Sequence, residues 1–122
     1  MTISEIINKY NALNKDTDKE ALIQRNYIKP YVPIIHKKEI CEKIIQHSFV
    51  DGQIDLIAKY VMYILALVDS HMSIDIDYTG NDIYLVYDKL RECGILQYIL
   101  GQLSEDEVSE FNIVMDSVCD VI

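Results

Sequence analysis

The sequence predicts an all-α protein: a single compact bundle of about six or seven helices around a central apolar helix. Three observations predict it. Apolar residues recur three and four apart along most of the 122 residues, the signature of one buried face on each helix. Three segments place Ser or Thr three residues ahead of Glu and before an apolar run, the pattern of a capping box. The chain holds 4 Gly and 2 Pro, too few for a turn-rich β-sandwich. Half of its residues are hydrophobic, which opposes disorder, and its length is that of one domain, residues 1–122.

The first capping box, Thr2 to Glu5, opens a helix carrying Ile3, Ile6, Ile7, Tyr10 and Leu13 and ending near Asn14. The second, Thr17 to Glu20, opens a short helix with Ala21, Leu22, Ile23 and Ile28 on its apolar side. Pro30 and Pro33 stop it and force Lys29 to Val32 into an extended crossing. Pro33 then suits the first position of a third helix, where its missing N–H costs nothing. Ile34, Ile35, Cys41, Ile44 and Ile45 form its apolar stripe, while Lys37, Lys38, Glu39, Glu42 and Lys43 form its wet face. Asp51-Gly52 is the clearest turn signal.

The longest helix is expected over 54–72, with Leu56, Ile57, Tyr60, Val61, Ile64, Leu65 and Val68 as its main stripe. Met62, Tyr63, Ala66 and Leu67 fill its other faces, and a helix apolar all round belongs at the centre of a bundle. Residues 73–80 alternate apolar and acidic side chains, which predicts a loop with an extended segment. Asn81 or Asp82 opens a fifth helix that Gly94 ends. A short sixth helix runs from Ile95 to Leu100 and stops at Gly101. The third capping box, Ser104 to Glu107, opens a last helix carrying Val108, Phe111, Val114, Met115 and Val118.

Charge is divided unevenly along the chain. Residues 1–50 hold 8 Lys/Arg and 6 Asp/Glu, and residues 51–122 hold 3 and 14, so a balance of +2 is followed by one of −11. No basic residue follows Arg91. A one-sided acidic field repels nucleic acid and anionic membranes and attracts basic protein surfaces. Arg25, Lys29, Lys37, Lys38 and Lys43, interleaved with Tyr27 and Tyr31, make a modest basic patch. Glu39 and Glu42 dilute it, and direct nucleic-acid binding is not expected. The most apolar run, Tyr60 to Val68, is far shorter than the roughly 20 residues a bilayer requires, so no membrane association is expected. The opening residues carry an early acid and no long apolar stretch, unlike a signal peptide.

The residues that bear chemistry are sparse. Cys41, Cys93 and Cys119 are odd in number and form no Cys-x-x-Cys pair, which predicts reduced thiols in a reducing, cytosolic compartment. His36, His47 and His71 have no zinc-ligand spacing and read as surface or boundary residues. Asp75-x-Asp77-x-Thr79-Gly80 matches the start of a calcium-binding EF-hand loop, but Val86 stands where the closing Glu belongs, so no specific calcium site is expected. Asp88 and Glu92 share a helix face without a sign of a pocket to separate their acidities. No nucleophile turn or phosphate loop is present. The chain therefore reads as non-enzymatic, with no catalytic residue, metal or cofactor.

The stretches Lys29 to Pro33, Tyr87 to Leu90 before Gly94-Ile95-Leu96, and Glu110 to Met115 together resemble a family of small phage and prophage proteins of low-GC bacteria. Members of that family open with an Ile-x-x-Lys-Tyr-Asn helix, matched here by Ile6 to Asn11, and share the Tyr-Val-Pro junction and a late Glu-Phe-Asn helix. They run on past that helix, where this sequence soon stops. The resemblance implies a phage source and an all-α fold and carries over no catalytic residue.

The expected function is a phage-encoded protein-interaction module, foremost a virion or assembly component, located in the host cytoplasm or the virion. Its partner is expected to be a protein with a basic surface, with a homo-oligomer as a further option, since a basic and an acidic face can pair head to tail. The alternative is a small acidic inhibitor of a host defence or nucleic-acid enzyme, an anti-CRISPR-like nucleic-acid mimic. Either way the expected contact residues are Glu105, Asp106, Glu107, Glu110 and Asp116, all exposed on the last helix, because unpaired carboxylates are costly to bury and no Lys or Arg stands near them in sequence.

Overall fold

The computed structural model describes residues 1–120. Among them the chain forms seven helices and one small hairpin, an all-α bundle. Helix α1 spans Ile3–Asn11, and the Thr2 hydroxyl accepts the Glu5 N–H at its start. Helix α2 spans Asp16–Arg25, so Thr17 lies inside it and caps nothing. Its early end leaves Ile28 exposed beyond the helix rather than on its apolar side. The chain then crosses the bundle. Tyr27 forms an antiparallel bridge with Met72, and the N–H groups of Ile28 and Lys29 donate to the His71 carbonyl.

Helix α3 spans Ile34–Ser48 and leads into a hairpin of strands β1 (Phe49–Val50) and β2 (Gln53–Ile54). Asp51 and Gly52 both adopt positive φ, 52° and 81°, the pair of conformations that a two-residue hairpin turn requires. The turn was legible in the sequence, but two-residue strands leave no alternation to read. Helix α4, Leu56–His71, follows at once, and the Asp55 carboxylate accepts the N–H groups of Ile57 and Ala58.

From Val61 onward α4 is buried on nearly every side, and Leu65 is 0 % exposed. Helix α4 packs against α3, and against helices α5 (Ile83–Glu92) and α6 (Ile95–Gln102). Its first turn does not follow the expected stripe. Leu56, Ile57 and Tyr60 project into solvent beside the exposed Phe49 and Val50, because the hairpin carries the start of α4 beyond the core. Met72 lies past the end of α4 in extended geometry, a boundary shift of one residue.

In the loop after α4, Ile74 and Ile76 are buried and the intervening acids face outward, which accounts for the alternation. The Asp69 carboxylate accepts the Ile76 N–H and braces the loop. Gly94 takes the left-handed conformation, φ 87°, at the stop of α5. Gly101 does not end α6 but lies within its last turn. Helix α7, Glu105–Asp120, closes the fold by packing mainly along α3.

Candidate functional site

Helices α3 and α7 start side by side and run in the same direction, while α4 runs the opposite way against α7. Contacts along their lengths set this arrangement. Lys37, in the first turn of α3, reaches Glu107 and Glu110 in the first turns of α7. His71, at the end of α4, reaches Glu107, and Tyr63, mid-way along α4, donates to the Asn112 side chain at 2.7 Å.

At this junction four ionisable side chains meet. The Lys37 ammonium, 0 % exposed, donates to Glu107 and, at 2.7 Å, to Glu110. The Val32 N–H donates to Glu107 Oε2 at 2.8 Å, and His71 Nε2 lies 2.6 Å from the same oxygen. The other ring nitrogen, Nδ1, faces the Leu67 carbonyl at 2.7 Å. The Ser70 hydroxyl also lies 3.1 Å from Nδ1, so both ring nitrogens are engaged. The Tyr31 hydroxyl donates to Glu110, and the Lys37 ammonium sits 4.0 Å from the centre of the Tyr31 ring.

Burial pushes the Glu107 pKa upward, but its bonds from Lys37, His71 and Val32 outweigh this and hold it below the usual carboxylate value. Burial likewise works against the Lys37 ammonium, and the two carboxylates prevail and raise it above its usual value. Bonding from Lys37 also holds Glu110 low. No buried side-chain polar atom among the described residues lacks a partner. The cluster is thus a closed network that pins α7 to α3 and α4, with its hydrogen-bonding capacity spent internally.

Three sequence expectations are corrected here. Glu107 is not an exposed contact residue: it is 3 % exposed, because Lys37 and His71, 70 and 36 positions away, supply the partners its own helix lacks. Lys37 leaves the wet face of α3 for the interior, and with Tyr31 engaged by Glu110 the proposed basic patch loses its middle. His71 is fully buried rather than at a boundary. The last capping box is half formed. The Ser104 hydroxyl accepts the Glu107 N–H at 3.1 Å, but the Glu107 carboxylate turns across the bundle instead of back to Ser104.

The remaining expected contact residues stand apart from this network or on its rim. Glu105, Asp106 and Asp116 are exposed on α7, and Glu110 is half-exposed while paired. Asp120 joins them, and α7 carries no Lys or Arg. Beside this acidic face lies an open apolar groove of about 700 Å³ between α3 and α7, walled by Ile34, Ile35, Ile113, Val114 and Val118. Ile34 and Ile35, expected in the core, are 52 % and 55 % exposed, and Ile113 is 65 % exposed. At the head of α3 the long Lys37 side chain reaches inward to its carboxylates, while Ile34 and Ile35 are left facing out. The groove's lining charges are Lys38 and Glu42, one of each sign.

Cys41 is buried, and burial pushes its thiol up to about 12, far from a reactive thiolate. Cys93 and Cys119 are partly exposed free thiols. Among the described residues no group of three or more His, Cys, Asp or Glu is arranged to hold a metal ion, and no helix is long and apolar enough to cross a membrane. No protein-family model, curated protein or solved structure matches this chain.

Proposed function

We propose that this chain is a phage-encoded, non-enzymatic protein-interaction module, foremost a virion or assembly component acting in the host cytoplasm or the virion. The observation that carries the reading is the outward face of α7. It presents Glu105, Asp106, Asp116 and Asp120 with no cation among them, next to an exposed apolar groove. Contiguous exposed apolar surface rimmed by charge is the usual form of a protein contact. A partner with a basic surface is attracted to it, and nucleic acid is repelled. The same acidic face favours the alternative, an inhibitor that occupies the nucleic-acid cleft of a host enzyme.

The test is kinetic. A triple reversal, Glu105→Lys, Asp106→Lys and Asp116→Lys, spares the buried network. The partner is taken by pull-down from infected cells, and association is followed at two salt concentrations. The reversal should slow the on-rate by about tenfold or more, and salt should weaken wild-type binding, since screening at 0.15 M already acts beyond about 8 Å. Equal on-rates with no salt dependence would show that the acids serve solubility alone.

A further inference from the structure

We infer that the α3–α7 groove is the docking site for one basic, amphipathic helix of a partner protein. This rests on the interaction reading above and adds the form of the ligand. The groove runs beside α3 from Ile34 to Gln46, twelve residue steps, or about 18 Å along the helix axis. That is the length of three helical turns, and its walls are isoleucine and valine, the surface against which a helix lays apolar anchors spaced three and four apart. Its volume falls within the range of sites that bury such anchors.

Charge selects the occupant. Asp106, Ile113 and Asp120 recur at seven-residue intervals on α7 and therefore share one stripe. The stripe is apolar at its centre and acidic at both ends, each acid about 10 Å from Ile113 along the axis. The complementary ligand is a helix with apolar anchors in the middle and Lys or Arg toward both ends. A second copy of this chain fits poorly. A two-fold contact centred on Ile113 would set Asp106 against Asp120 of the other copy, and each copy carries a net charge of −9. An anionic lipid surface or a nucleic acid would meet the same acids.

The probe is a fluorescein-labelled amphipathic peptide of about 14 residues, with Leu at three- and four-residue spacing and Lys elsewhere, long enough to fill the groove. A scrambled peptide of the same composition has equal charge and no apolar face. Fluorescence anisotropy with the full chain should show the patterned peptide binding about tenfold or more tightly than the scrambled one. Ile113→Glu should lose that preference at an unchanged thermal midpoint, because Ile113 is exposed. Amide shift changes in ¹H–¹⁵N spectra should centre on Ile35, Lys38, Ile113 and Ser117.

Equal binding of patterned and scrambled peptides, both weakened by the triple charge reversal, would overturn the groove proposal and leave the acidic-face reading standing. Binding of neither peptide would also overturn it, and the pull-down kinetics would then judge the broader reading alone. A wild-type dimer in sedimentation equilibrium that Ile113→Glu converts to monomer would overturn it in favour of a second copy as occupant.

Discussion

Lys37→Met probes the network that holds the last helix in place. Methionine keeps an unbranched apolar stem against Tyr31 and Phe111 and removes the ammonium. Glu107 then remains buried with only His71 and the Val32 N–H as partners. Removing one member of a buried ion pair costs about 3–5 kcal/mol. A domain of this length has a total stability of about 6–18 kcal/mol, so the loss is a large share of it. Urea denaturation followed by circular dichroism should show the midpoint falling with the slope unchanged. Acidity adds a second readout. Because the folded Glu107 is held below its ordinary 4.5, its contribution is full above that value and is lost as pH falls through the lower folded one. Lys37, held above its ordinary 10.5, contributes fully below that value and loses its contribution as pH rises through the higher folded one. In Lys37→Met the buried carboxylate has lost its main support, and protonation relieves part of its penalty. The gap between wild type and variant should therefore narrow as pH drops below 4.5. A loss under about 1 kcal/mol, the value of an exposed pair, would refute the reasoning, as would a gap that stays constant down to pH ~3.

Two other outcomes test the interior. Leu65→Ala should destabilise by about 2–5 kcal/mol through lost burial and the cavity it leaves, and an unchanged denaturation midpoint would show that the centre of the bundle is misplaced. Toward iodoacetamide at pH ~8, Cys93 and Cys119 should be alkylated in the native protein and Cys41 only after unfolding; prompt labelling of Cys41, mapped by peptide mass spectrometry, would contradict its burial and raised pKa.

The helices were largely legible because each depends on signals a few residues apart. Thr2 caps α1, Gly94 stops α5, and the apolar density of α4 marks it as central. Errors arose where a distant contact overrode a local pattern. The side chains of Ile34, Lys37 and Cys41 lie close in phase on α3, and spacing alone assigns the inward face to the apolar ones. The structure buries Lys37 together with Cys41 on that face and leaves Ile34 out, because Glu107 on α7 and the ring of Tyr31 receive the Lys37 ammonium. Glu107 offered a local explanation, the capping box, that hid its long-range use. A weak signal was available for the site itself. Helix α7 has Glu107, Phe111 and Met115 four apart, and all three are buried. An acid on an apolar stripe points to a buried partner, and most of the Lys and Arg that could serve stand in the first half of the chain.

The same substitution of charge for apolar packing bears on the exposed apolar groove between α3 and α7. Two helices that meet along a fully apolar seam bury their isoleucines against each other and leave only polar rims. Here the head of the seam is held by Lys37, Glu107, Glu110 and His71, and these contacts join the two helices there. Cys41, Ile44 and Ile45 continue the seam inside, while Ile34, Ile35 and Ile113 are left on its outer side. A flexible apolar surface would collapse onto itself or spend ordering entropy when a partner docks. This groove is anchored at its head by ion pairs and along its inner side by core contacts, which should limit the ordering a partner must impose. The buried network and the exposed groove are therefore linked. Lys37→Met should loosen the groove as well as lower stability, and under native conditions the patterned basic peptide should bind that variant more weakly than wild type. Undiminished affinity in a folded Lys37→Met protein would show that the ion pairs serve stability alone and that the groove keeps its shape without them.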